Sequence, residues 1–150
     1  MDKIFLATQL QQKLRATYET ARRYDEDARV DAKSGAPRAV NVAQAARTRL
    51  EQAEAAWAAA ADFKPSVMRK GERIGLGALV EVEDGEAGKT LFVAPSGAGE
   101  ELTGPDGDGF LHVVTPGSPL GKALIGKKVG DVVEVMVKGE LTEWEITWAS

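Results

Sequence analysis

The chain has 150 residues, 43% of them apolar and 28% charged, with a formal net charge of −4. That length suits one domain or two small units, and no apolar run approaches the roughly 20 residues of a membrane span. The absence of cysteine excludes disulfide frameworks, thiol catalysis and cysteine-based zinc sites.

The opening Met1-Asp2-Lys3-Ile4-Phe5-Leu6 lacks the apolar region of a signal peptide, so a cytoplasmic location is expected. Charge divides unevenly along the chain. Residues 1–64 hold 11 Lys and Arg against 9 Asp and Glu, a net of +2, while residues 65–150 hold 8 against 14, a net of −6. An acidic half does not suit a phosphate backbone, so direct nucleic-acid binding is not expected.

Up to about Phe63 the chain is rich in Ala, Gln, Glu and Arg, strong helix formers interrupted once by the turn residues Ser34-Gly35-Ala36-Pro37. Ile4, Ala7, Leu10, Leu14, Thr17, Ala21, Tyr24 and Ala28 recur at steps of three and four, as do Ala43, Ala46, Leu50, Ala53, Trp57 and Ala60. Each set forms an apolar seam, and the short turn makes the two helices antiparallel neighbours. The expectation is a coiled-coil hairpin over residues 1–64. Its Ala-rich seam predicts a thin rod about 40 Å long. On periodicity alone such a rod serves equally as a spacer or a dimerisation element, with Arg15, Arg22, Arg23, Arg29, Arg47 and Arg49 as a solvated face.

Pro65 pushes Lys64 out of the helical region and ends the hairpin. Residues 65–150 then change to short alternating runs between Gly-rich turns, predicting strands near Ala78–Glu83, Lys89–Ala94, Phe110–Thr115, Val132–Val137 and Thr142–Trp148. Between the third and fourth lies Ser118-Pro119-Leu120-Gly121-Lys122-Ala123-Leu124-Ile125-Gly126. Ser118 suits an N-cap, Pro119 the first helical position and Gly126 the left-handed residue past the end. The fold class is therefore α+β: a helical hairpin, then an antiparallel sheet domain with one short helix.

The stretch Thr115 to Val135, with Ser118-Pro119-Leu120-Gly121-Lys122 and Val129-Gly130-Asp131-Val132-Val133 inside it, closely resembles the signature of the C-terminal domain of Gre-type bacterial transcription elongation factors. The resemblance runs from about Gly71 to the C-terminus and implies an FKBP-like fold for that half. It further implies docking on RNA polymerase at the mouth of the secondary channel, with Ser118, Pro119, Leu120, Gly121 and Lys122 near the contact. The coiled coil would then pass inward toward the catalytic Mg²⁺. By this resemblance the chain is no enzyme itself but acts through the polymerase as a monomer. It meets nucleic acid only within that complex, and it binds no cofactor stably.

Such factors carry an Asp and a Glu three residues apart in the loop at the tip, where they help hold a second Mg²⁺ so that the polymerase cleaves its backtracked RNA. This chain lacks that motif. Its tip acids are Asp25, Glu26, Asp27 and Asp31, just before the turn, and Asp27 and Asp31 at i,i+4 share a helix face. Two modes stay open: stimulated cleavage with a Mg²⁺ shared with the polymerase, or channel occupation without cleavage. The rivals are a coiled-coil adaptor for another partner and a prolyl isomerase, whose aromatic-walled pocket would have to come from Phe92, Phe110, Trp144 and Trp148. Asp106-Gly107-Asp108-Gly109 lacks the further acids of an EF-hand loop and reads as a turn. His112, the single histidine, reads as a packed strand residue.

Overall fold

The computed structural model describes residues 2–104, 107 and 109–150, so Asp106 and Asp108 of the expected turn lie outside the described residues. Helix α1 (Lys3–Ala32) starts where the Asp2 carboxylate accepts hydrogen bonds from the backbone N–H groups of Ile4 and Phe5, at 2.9 and 3.3 Å. It ends at Lys33-Ser34-Gly35, and Gly35 takes a φ of 76° that favours glycine. Pro37 opens α2 (Pro37–Asp62), needing no N–H at that position. The helix stops at Asp62, two residues before Lys64, and Phe63 turns extended so that its ring packs 6.0 Å from that of Phe92.

The hairpin seam differs from the apolar periodicity at three positions of α1, the expected Thr17 being exposed beside a half-buried Tyr18. Leu6 is buried where Ile4 was expected, and Asp25 is buried where Tyr24 was expected. Tyr24 is 49% exposed on the flank. Between Ala21 and Ala28 the buried line steps by four and then three, and those steps fall on an acid.

The strands are β1 (Leu79–Glu83), β2 (Gly88–Val93), β3 (Glu101–Thr103), β4 (Phe110–Val114), β5 (Val132–Val137) and β6 (Glu140–Ala149), with α3 (Pro119–Leu124) between β4 and β5. They form one sheet in the order β3-β4-β2-β1-β6-β5. Two features go beyond the expected antiparallel five. The short β3 pairs antiparallel with β4, and β2 pairs parallel with β4, so the sheet is mixed. The parallel pair is made possible by the long connection from Ala94 to Gly109, which carries β3.

Each sheet face has its own core. On one, Val80, Val82, Leu91, Val133, Val135, Trp144 and Ile146 pack with Leu124 of α3. On the other, Leu79, Phe92, Leu102, Leu111 and Val113 pack with Leu6, Leu10, Leu14 and Ala60 from the base of the hairpin. Polar contacts fix the second junction. The Gln9 side-chain amide donates to the Thr103 carbonyl at 3.0 Å and accepts from the Thr103 N–H at 2.9 Å, satisfying the β3 edge as a neighbouring strand would. Ser96 donates to the Ala56 carbonyl at 2.7 Å, and the Lys3 ammonium donates to the carbonyls of Ser66 and Ser150 at 3.0 and 2.7 Å. Partial burial holds the Lys3 pKa below its ordinary value.

Gly97, at φ 86°, lies so close to α1 that an added Cβ would come within 2.8 Å of a Leu10 methyl. Leu10 is fully buried in this junction. Leu10→Ala should therefore lower the unfolding free energy by about 2–5 kcal/mol, read as a lower urea midpoint. It should reduce the protection of Phe92 and Val113 amides against hydrogen exchange, although those residues lie in the other half of the chain.

Candidate functional site

Two regions carry the residues singled out in the sequence: α3 with the groove beside it, and the hairpin near its turn. α3 is anchored at its start by Ser118. The Ser118 hydroxyl oxygen accepts from the N–H groups of Thr115 and Gly121, at 3.0 and 3.3 Å, and the hydroxyl donates to the Thr115 carbonyl at 2.9 Å. Gly121 is buried, and a Cβ there would collide with the Thr115 carbonyl oxygen. Leu120 is half-buried against the α3-side core. Past the helix, Gly126 takes φ 83° and donates to the Ile74 carbonyl at 2.8 Å, tying α3 to the strand-leading loop.

The five expected docking residues thus divide by what they can touch. Ser118 and Gly121 hold the turn, Leu120 mostly holds the core, and Pro119 and Lys122 face solvent. Beside them runs a groove of about 430 Å³ lined by Lys89, Leu91, His112, Val114, Pro119, Leu120, Val135 and Lys138. Its floor is aliphatic and its rim carries two ammonium groups. The Lys89 ammonium also lies 5.3 Å from the centre of the Trp144 ring, a cation–π distance. His112 sits in β4 opposite Leu91 and Glu101 and contributes to the groove wall. A larger, open depression of about 530 Å³ lies on the hairpin flank, lined by Thr17, Thr20, Tyr24 and Arg49, and shares no lining residue with the groove.

Near the hairpin turn the four candidate acids have different surroundings. Asp25 is buried, its side chain 1% exposed, with Arg29 Nε and Arg47 Nη2 at 3.2 and 3.1 Å from its Oδ2. Neither contact meets hydrogen-bond geometry, so the attraction is charge against charge. Arg29 and Arg47 are about half exposed and keep contact with water. Glu26 pairs more loosely with Arg22, at 3.7 Å on the surface. Asp27 and Asp31 are exposed, one turn apart, and enter no ion pair among the described residues.

Asp25 is thus committed to joining α1 to α2 and is poorly suited to bind an ion. Asp27 and Asp31 are the carboxylates available for a shared Mg²⁺, which takes oxygen ligands and retains several waters. Among the described residues no three His, Cys, Asp or Glu side chains come together in a metal-sized group. A polar residue on the seam between Ala21 and Ala28 is the sequence signal for Asp25. Its partner Arg47 lies on the other helix and is visible only once the register is known.

The elongation-factor signature extends through most of the second half. Residues 69–149 match the family model described as transcription elongation factor, GreA/GreB, C-term. The chain belongs to the GreA/GreB family of transcription elongation factors. It is 33% identical over 99 residues to transcription elongation factor GreA of Polaromonas naphthalenivorans, an alignment covering 65% of this chain and 58% of that protein. It is 38% identical over 68 residues to transcription inhibitor protein Gfh1 of Thermus thermophilus, covering 43% of this chain and 39% of that protein. The chain thus spans about half the length of the curated relatives it matches. A solved structure of the transcription factor Gfh1 aligns with 95% of this chain and 92% of its own at 23% identity, with a TM-score of 0.44.

The Asp25 clamp generates a testable expectation. Asp25→Asn keeps the shape, removes the charge that draws Arg29 and Arg47 together, and leaves a buried amide without partners. The loss should be about 1–3 kcal/mol, limited because both arginines reach water. The check is urea unfolding followed by helical circular dichroism. Asp27→Asn, on the exposed face, serves as the comparison and should leave the midpoint nearly unchanged.

Proposed function

We propose that this protein regulates transcription elongation by binding RNA polymerase, the β half docking at the mouth of the secondary channel and the hairpin reaching inward. The observation that supports this most is the family match over residues 69–149, preceded in the chain by a helical hairpin whose 30-residue first helix is about 45 Å long at helical rise. The docking surface in this reading is the exposed side of α3 at Pro119 and Lys122 with the neighbouring groove. A partner side chain that is apolar and flanked by acids fits its aliphatic floor and the ammonium groups of Lys89 and Lys138. Nucleic acid is met within the complex, in keeping with the net −6 of residues 65–150.

The tip favours occupation of the channel over donation of a metal ligand. The turn Ser34-Gly35-Ala36 carries no carboxylate, and Asp25 is held between two arginines. A second reading rests on Asp27 and Asp31, exposed one turn apart near the end of α1 and in no ion pair among the described residues. In that reading the two carboxylates share an ion with the polymerase, whose chemistry is to activate the attacking water and offset charge in phosphodiester cleavage.

Two measurements test the proposal. Lys122→Glu should weaken capture of core RNA polymerase while leaving thermal unfolding nearly unchanged; unaltered capture would remove Lys122 from the interface. At saturating protein, a backtracked polymerase complex should bind the wild type without faster RNA cleavage. Stimulation by the wild type that falls by orders of magnitude in Asp27→Asn or Asp31→Asn would establish the second reading instead.

A further inference from the structure

The sheet face under the hairpin is only half covered. The hairpin base lies over Leu79, Phe92, Leu102, Leu111 and Val113, toward the β3 end. Toward the β5 end the same face continues through Glu81 and Glu83 on β1, Glu143 and Glu145 on β6, and Glu134 on β5, all exposed. Interspersed are exposed apolar side chains: Val132 at 58%, Met136 at 60% and Leu141 at 59%. Two pairs set like charges directly opposite, Glu134 against Glu143 and Glu83 against Glu145, an arrangement that disfavours the isolated sheet. None of these five glutamates forms an ion pair among the described residues.

β5 is also the last strand of the sheet, so one side of its backbone has no neighbouring strand among the described residues. Along it Val132, Glu134 and Met136 alternate toward this face. One charge at mid-strand is enough to discourage edge pairing between identical copies. Five acids with two opposed pairs go well beyond that need, and they repel a second copy of the same face. The acids are also spread along three strands and form no metal-sized group among the described residues, so a point cation does not suit them.

We infer that this half-face is a docking surface for a basic, extended segment of a partner protein, which adds to the sheet as a strand beside β5. Backbone hydrogen bonds along β5 supply affinity. Cationic side chains of the segment meet Glu134, Glu143 and Glu145 and relieve their mutual repulsion, and their aliphatic stems lie over Val132, Met136 and Leu141, while the alternate apolar side chains point to the other face beside the half-exposed Val137. The five glutamates lie on the opposite face of the sheet from α3, the two surfaces meeting only at the β5 edge, where Met136 also borders the α3 groove, and the inference does not depend on the polymerase reading.

The test titrates the full chain into labelled synthetic peptides, followed by fluorescence anisotropy. One peptide alternates Lys with Val; a comparator of the same length and charge alternates Lys with Pro, which cannot pair along an edge. The Lys–Val peptide should bind and protect β5 amides from hydrogen exchange, and the Lys–Pro peptide should bind on the order of tenfold or more weakly. A Glu143→Gln, Glu145→Gln double variant should lose on the order of tenfold in affinity with an unfolding midpoint unchanged or raised. Lys122→Glu, on the other side, should bind the Lys–Val peptide as the wild type does. Equal binding of the two peptides, no binding of the Lys–Val peptide, or protection gained at β3 and not β5 would each overturn the inference. The peptide comparison needs no variant, so it stands even if the double substitution disturbs the fold.

Discussion

Leu6, Leu10 and Leu14 stand on a helix whose partner cannot cover them. Along the seam α2 offers mainly alanines, Ala43, Ala46, Ala53 and Ala60, and an Ala-rich pair of helices buries too little apolar surface to be firm by itself. The three leucines instead turn to the sheet and bury against Phe92, Leu79 and Leu102. Gln9, Ser96 and Lys3 add directional hydrogen bonds around that junction, and Gly97 lets the backbone come close to Leu10. The direction in which the hairpin points is therefore set by packing across the two halves of the chain.

Farther along the hairpin the means of joining the helices changes. Near the base Trp57 of α2 stacks on Tyr18 with centroids 5.1 Å apart, and Arg15 lies over the same indole at 5.8 Å. Beyond the midpoint the seam is down to small residues, and the Asp25 charge between Arg29 and Arg47 does what apolar bulk does lower down. A buried carboxylate also opposes sliding, since a one-turn slip would leave it without partners in a dry seam. Leaving aside Glu26, loosely held by Arg22, the acids that remain free near the turn are Asp27 and Asp31, and the function of the tip rests on them or on no acid at all.

Local grammar made much of this legible before any coordinates. Period and punctuation located both helices, the turn at Gly35 and the short α3, because Ser118, Pro119 and Gly126 each suit one position of a helix terminus. β3 escaped because Glu101-Leu102-Thr103 is three residues long with a single buried side chain, too short for a period to register. The parallel pairing of β2 with β4 and the Gln9–Thr103 contact are long-range choices that no local pattern encodes. At the seam, hydrophobicity favoured Tyr24 over Asp25, and the arginine that makes burial of Asp25 tolerable sits on the other helix. The segment from Ser118 to Lys122 was legible as a motif. Its division into turn-holding Ser118 and Gly121 and solvent-facing Pro119 and Lys122 needed the packed structure.

If the leucine junction sets the direction of the hairpin, the distance from its turn to the far side of the sheet is a fixed property of the free protein. The chain has no cysteine, so Ser34→Cys and Lys128→Cys, both at exposed positions, place two spin labels without further changes. Pulsed dipolar spectroscopy should give one narrow distance distribution, which broadens when Leu10→Ala is added. A broad or two-peaked distribution in the otherwise unaltered chain would contradict the account, because it would mean that the hairpin swings on the sheet.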